Sequence, residues 1–453
     1  MDMSIDSKLN ISHRNESLSE KNFEIIKKNL QSCINLNQLQ IDLSYSSFEE
    51  EDFQRFFSIF SKLKSLTQLG LNFTNNGMNN KAITELGSQL ALCQRLQIIT
   101  LDLFYNEIGD DGLSNLGTSL SCCKNIQSFE VSFGKENKFS WLGLAGLASG
   151  LKQIKNLNNF KIYFCDTQIG VVGISQFAIE LKNFQNLKKA FLSFSCCKIN
   201  LQETCNISYF LPYCEDLELT LSFNNIGDQG ITSLGAALSK CSSLQSLSLY
   251  LNNCQISEKG FSAFATQLSE CKNIINLDLD FQENQACKQG AAILGQSLGK
   301  LDNLVQLGIY FYKNYIQQEG AQQLGNGLAK CKKLNKLNLH LGYNYLYDKG
   351  ACSLIHELSQ SKTINKLQIS FVGNDLTQNG ICELANKLGF LARLNALYID
   401  LGDNDLNQKK GIQEFESKLR LCNHLKILQV SGFPYNLRSK RLMKIKQLVK
   451  LYY

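Results

Sequence analysis

The chain has 453 residues, of which 44% are hydrophobic and 19% charged, and its formal net charge is +6. This composition supplies enough apolar side chains for a buried core, which argues against an intrinsically disordered protein. Residues 1–19 are polar and mixed in charge, unlike a signal peptide, and no apolar run is long enough to cross a bilayer. We therefore expect a cytoplasmic protein without membrane insertion, whose 17 cysteines are reduced and mostly buried.

One short pattern recurs along the chain at nearly constant spacing. In a clear copy, Leu96, Ile99, Leu101 and Leu103 precede Asn106, and we take the Asn106 position as the anchor of each repeat. The 14 anchors are Ser46, Asn76, Asn106, Asn137, Thr167, Cys197, Asn224, Cys254, Asn284, Asn314, Asn344, Asn374, Asn404 and Tyr435. They lie 27 to 31 residues apart, which indicates one solenoid of stacked repeats rather than several globular domains.

Each repeat has two halves with different hydrophobic spacing. In the first half apolar residues alternate, as at Leu277, Leu279 and Phe281, which predicts a short strand with one buried face. In the second half the spacing is helical, as at Leu113 and Leu116. Alternating strands and helices predict an α/β fold, with a parallel sheet on one side and helices on the other.

The anchor position has a physical role that explains its composition. A tight turn buries backbone N–H and C=O groups that have no partners in a strand ladder. An asparagine amide can donate and accept, so it can satisfy the groups of neighbouring turns. Nine of the 14 anchors are Asn and two are Cys, so we expect a buried ladder of these side chains.

The repeat resembles the leucine-rich repeat family, in particular its ribonuclease-inhibitor-like class, and is similar to the repeats of about 30 residues in ciliate proteins. The resembling motif, L-x-x-L-x-L…N-x-I followed by G-x-x-x-L-x-x-x-L-x-x-C, covers Phe23 to Leu448. Two extra residues precede the asparagine here, since Leu101 is followed by Leu103 and then Asn106. The resemblance implies a horseshoe-shaped solenoid with a concave parallel sheet and convex helices.

The ends of the chain depart from the repeat. We assign residues 1–19 to a polar N-terminal tail and residues 20–453 to a single repeat domain. Within it, residues 20–33 predict an N-terminal cap helix without a preceding strand, and residues 437–451 predict a basic C-terminal cap helix. The repeats between Gly134 and Cys214 match the pattern least well, so we expect a change of curvature there.

Catalytic, cofactor and metal sites have weak support in the sequence. The four histidines are scattered, and eight cysteines occupy one repeat position, which a buried structural ladder explains better than zinc. The G-x-x-x-x-G at Gly290–Gly295 lacks the lysine of a phosphate loop. We expect a non-enzyme without cofactor, metal or small-molecule substrate.

The outward face of the predicted sheet carries the functional signal. Strand alternation that buries Leu101 and Leu103 turns Asp102 and Phe104 outward. The equivalent acidic residues elsewhere are Asp42, Glu130, Glu218, Asp278, Asp280 and Asp400, and Lys161 is the single equivalent basic residue. Aromatic residues on the face include Tyr250, Tyr310, Tyr312 and Tyr398. A solvated polar sheet explains part of this composition, but one sign of charge beside aromatic anchors favours a basic protein ligand.

The sequence therefore predicts a non-catalytic scaffold whose sheet face holds a protein partner. The predicted partner-binding residues are Asp102, Phe104, Glu218, Tyr250, Asp278, Asp280, Tyr310, Tyr312, Tyr398 and Asp400. The resemblance adds a cytoskeletal or ciliary assembly as the setting. It also leaves open an enzyme regulator of the small-GTPase activator or nuclease-inhibitor type. The basic C-terminus is a second expected contact, with an acidic surface, although a soluble cap would have the same composition.

Overall fold

A computed structural model provides the structure of the chain. It describes residues 8–15, 24–26, 28–30, 35–46, 48–167, 176–177, 179–181, 184, 186–199, 214–406, 409–419, 422, 424–433 and 450–452. The chain divides into two compact units, Met1–Thr220 and Leu221–Tyr453. The boundary falls inside the shortened repeat between the anchors Cys197 and Asn224, where the regular spacing is broken.

The first unit is an α/β solenoid whose strands are parallel and follow one another in chain order. Its strands are β1 (Lys8–Ser12), β2 (Gln38–Asp42), β3 (Gln68–Asn72), β4 (Ile98–Asp102), β5 (Ser128–Phe133), β6 (Asn159–Cys165), β7 (Lys189–Ser195) and β8 (Asp216–Thr220). Its helices are α1 (Glu50–Phe57), α2 (Asn80–Leu90), α3 (Asp110–Leu120) and α4 (Trp141–Leu151), with a 3₁₀ turn at Phe60–Lys62.

The second unit repeats the same arrangement with more regular spacing. Its strands are β9 (Ser246–Tyr250), β10 (Asn276–Asp280), β11 (Gln306–Tyr310), β12 (Lys336–His340), β13 (Lys366–Ser370), β14 (Ala396–Asp400), β15 (Ile427–Ser431) and β16 (Lys450–Tyr452). Its helices are α5 (Gly227–Leu238), α6 (Glu258–Leu268), α7 (Cys287–Leu298), α8 (Gln317–Ala329), α9 (Tyr347–Leu358), α10 (Gln378–Leu388) and α11 (Lys409–Leu419). These strands are also parallel and in chain order, so the predicted α/β solenoid is confirmed.

The N-terminus differs from the predicted polar tail and from a cap helix without a preceding strand. Residues 8–12 form β1, which pairs with β2 so that Lys8 lies opposite Gln38, one full repeat away. The sequence K-L-N-I-S is polar in composition, yet its two apolar residues alternate and Ile11 is buried. Residues 24–26 and 28–30 are helical, as the predicted cap helix requires. The first repeat therefore has both of its halves.

The C-terminus also differs from its prediction. Residues 437–449 of the predicted basic cap helix lie outside the described residues. Residues 450–452 form β16, which pairs in parallel with β15 and places Lys450 opposite Ile427. Lys450 and Leu451 therefore lie in a strand rather than in a helix.

The core lies between the sheet and the helices because each strand turns alternate apolar residues inward. In β12 and the turn after it, Leu337, Leu339 and Leu341 are at most 2% exposed. Parallel pairing keeps the register of the repeats, so Leu337 lies opposite Leu367 on the next strand. Burying each such side chain contributes roughly 1.5–3 kcal/mol, which makes this periodicity the main determinant of the fold.

The asparagine ladder predicted from the anchors is present in the structure. Asn314 is fully buried, and its Nδ2 donates to the carbonyl oxygens of Phe281 and Tyr312 at 2.8 and 3.2 Å. Its Oδ1 accepts the backbone N–H of Ala286 at 3.1 Å. A cysteine anchor supplies only the donor half, since the Sγ atom of Cys254 donates to the Leu221 carbonyl at 3.2 Å.

A second contact between repeats fixes where helices begin. The carboxylate of Asp348, in the first turn of α9, accepts the backbone N–H of Thr377 at 2.8 Å and its hydroxyl at 2.6 Å. Thr377 is the N-cap of α10, so each helix helps to position the start of the next one. Asp228 and Ser257 make the same two bonds, which shows a recurring device.

Candidate functional site

The outward sheet face of the second unit brings together most of the predicted partner-binding residues. Seven of the ten lie in this unit: Tyr250, Asp278, Asp280, Tyr310, Tyr312, Tyr398 and Asp400. The parallel register aligns the outward positions of neighbouring strands, so Asp278, Gly308 and Asn338 form one row across the face. Asp280, Tyr310 and His340 form the next row.

The carboxylate of Asp278 lies in the first of these two rows. Its side chain is half-buried and lies over Gly308, where any larger residue would overlap its Oδ1. It has no hydrogen-bond or ion-pair partner among the described residues. Burial raises the pKa of the Asp278 carboxyl above its ordinary value. A charge held in this way is available to an external cation.

The aromatic ring of Tyr310 lies beside this carboxylate, since both side chains approach Gly308. The Tyr310 ring stacks on the His340 ring, with centroids 4.8 Å apart and an interplanar angle of 23°. The Tyr310 hydroxyl accepts a hydrogen bond from Asn338 Nδ2 at 3.0 Å. Burial, and then the charge of Asp278, raise the pKa of Tyr310. The rings are therefore fixed in position, as an interaction anchor requires.

Asp280 and Asp400 have a structural role that the repeat pattern did not reveal. Asp280 is only 7% exposed, although we expected an exposed side chain, and its Oδ1 accepts the Gln282 N–H at 3.2 Å. Asp400 accepts the Gly402 N–H at 3.1 Å in the same way. At the equivalent position Asn72 accepts the Thr74 N–H at 3.0 Å. The carboxylate at the end of a strand therefore caps the following turn, and an amide can replace it.

The row of Asp280, Tyr310 and His340 continues through Ser370 to Asp400. A cavity of about 380 Å³ lies beside this row. His340, Ser370, Tyr398 and Asp400 are among its lining residues, and the small Ser370 leaves the space between His340 and Asp400 open. Burial lowers the pKa of His340, while the charges of Asp280 and Asp400 act in the opposite direction. Because its ordinary pKa already lies below 7, His340 with a lowered pKa is neutral at pH 7 and brings no positive charge to the cavity.

The sheet face carries both signs of charge, so the prediction of a one-signed face is wrong. Lys336 and Lys366 are the first residues of β12 and β13 and face outward. The predicted face included only the later outward positions of each strand, such as that of Lys161. Both line a smaller depression of about 190 Å³ with Asn276, Asp278 and Asn338. The Lys366 ammonium lies 5.1 Å from the centroid of the Tyr398 ring. Cations therefore mark the beginning of the strands, while Asp280 and Asp400 mark their end.

The remaining three predicted residues belong to the first unit. Asp102 and Phe104 are half-buried, and the Phe104 ring lies over Gly134, where a side chain would overlap it. Glu218 is half-buried on β8. The neighbouring carboxylate Glu130 is paired with Lys161 at 3.5 Å, so its charge is partly neutralised within the chain. The unpartnered carboxylate that best fits the predicted ligand is therefore Asp278, in the second unit.

Sequence reasoning missed a group of exposed tyrosines in the turns after β11 and β12. Tyr315, Tyr343, Tyr345 and Tyr347 are 37–49% exposed and all have left-handed backbone conformations, with φ between 51° and 57°. The missed signal was a tyrosine one residue after the anchor in two consecutive repeats, Asn314-Tyr315 and Asn344-Tyr345. The predicted site covered only outward strand positions and two residues just after a strand, Phe104 and Tyr312.

The described residues contain no cluster of three or more His, Cys, Asp or Glu side chains arranged to hold a metal ion. Among the cysteines in the described part of the chain, none forms a disulfide. None of the helices described here combines the length and apolarity that a membrane span requires. No protein-family model and no curated protein sequence matches this chain.

Proposed function

We propose that the chain is a non-catalytic protein-binding scaffold of the leucine-rich repeat, ribonuclease-inhibitor-like type. Its sheet face in the second unit would bind a basic surface of a protein partner. The observation that carries this proposal is Asp278, a half-buried carboxylate without a partner among the described residues, beside the Tyr310 ring, which stacks on His340. We further propose a cytoplasmic setting, in a cytoskeletal or ciliary assembly, on the resemblance alone.

The charged side chain of Asp278 is energetically unfavourable in the folded chain as long as no ligand is bound. A buried charge without a partner destabilises a protein, and burial has raised the pKa of this carboxyl. Groups held at such a cost are concentrated in functional sites. A lysine or arginine of a partner would recover the lost interaction and form a charge-assisted hydrogen bond. The aromatic neighbours would supply the apolar contact area that protein interfaces use as anchors.

The shape of the face favours a macromolecule. Outward positions of adjacent strands lie about 4.8 Å apart, so β9 to β15 span on the order of 30 Å. The two depressions on this face, of about 380 and 190 Å³, are shallow parts of the same surface and share Gln368 in their linings. A small molecule would fill one depression, whereas a protein surface would cover both.

Site-specific photo-cross-linking tests the proposal. A photoreactive amino acid replaces Gln368 on the sheet face, and in a matched variant it replaces the exposed Gln323 on α8. Both variants are expressed in native cells, irradiated, and analysed by mass spectrometry. We expect a specific protein adduct from position 368 and none from position 323. Adducts from position 323 alone would assign binding to the helices and contradict the proposal.

A further inference from the structure

A second surface stands apart from the strands of the second unit. We name the exposed rings of Tyr315, Tyr343, Tyr345 and Tyr347 the tyrosine ledge; they follow β11 and β12 in the turns around the anchors. Their left-handed backbone belongs to the repeat rather than to the tyrosines, because Gln255 and Asp375 in the turns of other repeats have the same conformation. The four rings are 37–49% exposed, and a group of exposed aromatic residues in two adjacent repeats is typical of an interaction surface.

The rings of the ledge are held in place. Tyr343 lies across the backbone of Gly373, where a side chain would overlap its ring. Its hydroxyl donates to Asp403 Oδ2 at 2.6 Å, two repeats further along the chain. Tyr315 and Tyr345 stack with centroids 5.9 Å apart and an interplanar angle of 20°. Because these rings are already ordered, the protein would lose little side-chain conformational entropy when a ligand binds to them.

The charges around the ledge specify what it can bind. The next two turns carry the carboxylates Asp375, Asp403 and Asp405, and no lysine or arginine occurs at positions 373–377 or 403–406. On the other side, Lys313 is paired with Glu283 at 3.8 Å, and the exposed Lys349 follows Tyr347 in α9. A cation already lies over one neighbouring ring, since the Lys313 ammonium is 5.0 Å from the centroid of Tyr312. Flat ring faces next to carboxylates match the guanidinium group, which stacks on aromatic rings and pairs with carboxylates.

We propose that the tyrosine ledge binds an extended, arginine-rich segment of a partner protein, with arginine side chains stacked on the rings and paired with Asp375 and Asp403. The inference rests on the proposed protein-binding role but uses a different surface from the sheet face. Arginine fits better than lysine because its planar group can stack and pair at the same time.

Fluorescence anisotropy with the full chain tests the proposal. The probes are a labelled peptide of alternating arginine and glycine, its lysine counterpart, and a proline-rich peptide of equal length. The ledge variant is Tyr315→Ala with Tyr345→Ala, and the charge variant is Asp375→Asn with Asp403→Asn. The matched control is Tyr45→Ala with Tyr105→Ala. These two exposed tyrosines of the first unit also have left-handed backbone, but their repeats are not adjacent.

We expect the arginine peptide to bind more tightly than the other two. Its affinity should fall about tenfold in the ledge variant, as for loss of an interface anchor. It should also fall in the charge variant, and stay unchanged in the control. Tighter binding of the proline-rich peptide, unchanged binding by the ledge variant, or an equal loss in the control would each overturn the proposal.

The sheet-face variant Asp278→Asn with Asp400→Asn separates the two proposals. Its affinity for the arginine peptide should equal that of the unmodified chain. If it loses the peptide while the ledge variant keeps it, the sheet face is the peptide site and the ledge inference is wrong. If the ledge binds the peptide but position 368 yields no cross-link, the ledge inference stands and the proposed sheet-face function fails.

Discussion

The side chain of Asn344 accepts the backbone N–H of Asn314 at 2.9 Å, so an asparagine anchor satisfies the turn that precedes it by one repeat. The same Oδ1 atom also accepts the N–H of Ile316 at 3.2 Å. The Asn344 N–H in turn is accepted by Asn374 at 3.0 Å. Each repeat therefore depends on its neighbours for its buried polar groups, which explains how a stack of short strands remains in register.

Substitution at one anchor tests this ladder. Asn314→Leu leaves the Ala286 N–H without an acceptor and the Phe281 carbonyl with the Asn284 amide alone, so we expect a loss of roughly 1–3 kcal/mol in the free energy of unfolding. Asn314→Cys should cost less, because a thiol can donate but replaces the acceptor poorly. Urea unfolding of the three proteins measures the effect. Equal midpoints for all three would show that the ladder does not contribute to stability.

The bond pair between Asp348 and Thr377 should stabilise the second unit measurably. A double-mutant cycle with Asp348→Ala and Thr377→Ala should give a coupling energy of about 1 kcal/mol, as expected for a helix cap shared between two elements. Gln323→Ala, at an exposed position on α8, serves as the control and should leave the unfolding midpoint nearly unchanged. Additive effects of the two single substitutions would show that the contact is not energetically significant.

The buried cysteines should react poorly with thiol reagents in the folded protein. Burial raises the pKa of Cys123 and of Cys331 to about 12, so both remain neutral thiols at pH 8. Cys122, the exposed neighbour of Cys123, should be alkylated first in the native protein. Mass spectrometry of peptides after brief alkylation provides the measurement. Equal labelling of Cys122 and Cys123 before unfolding would contradict the buried position of the helix-end cysteines.

Asp278 should reduce the stability of the protein at neutral pH. Its folded-state pKa is raised, so the folded chain binds this proton more tightly than the unfolded chain, and ionisation above that pKa opposes folding. Asp278→Asn should therefore raise the urea midpoint at pH 7, and the gain should disappear as the pH falls through the folded pKa. Asp375→Asn is the control for charge alone. A loss of stability at pH 7 would show that the carboxylate has a partner in the folded state.

Periodicity made the solenoid and its ladder predictable, because the strand, the turn asparagine and the helical leucines recur at fixed spacing. The strand β1 was missed since a polar five-residue stretch has only two apolar positions to show alternation. Asp280 was expected to be exposed because strand alternation places it outward. The turn that it caps buries it nevertheless, and no periodic pattern reveals such a contact.

The binding surfaces were predictable only in part. The outward strand positions predicted Asp278 and Tyr310 as residues of the face. Only the hydrogen bonds of the structure distinguish Asp278 from carboxylates that cap turns, such as Asp280 and Asp400. The tyrosine ledge depends on left-handed turns and on Gly373, which lets the Tyr343 ring lie flat against the next repeat. Tyr343 and Gly373 are 30 positions apart in the sequence, and only the stacking of the repeats in register brings them into one surface.

Stopped-flow association kinetics test most directly whether the sheet face binds a basic partner. The partner cross-linked at position 368 is purified, and its association rate is measured at increasing salt with the unmodified chain and with the Asp278→Asn, Asp400→Asn variant. Asp302→Asn is the matched control, since it removes a charge from an exposed carboxylate beside Lys332. We predict slower association with a weaker salt dependence for the sheet-face variant alone, because steering charge is lost there. Equal rates and equal salt dependence for all three proteins would contradict binding of a basic partner by the sheet face.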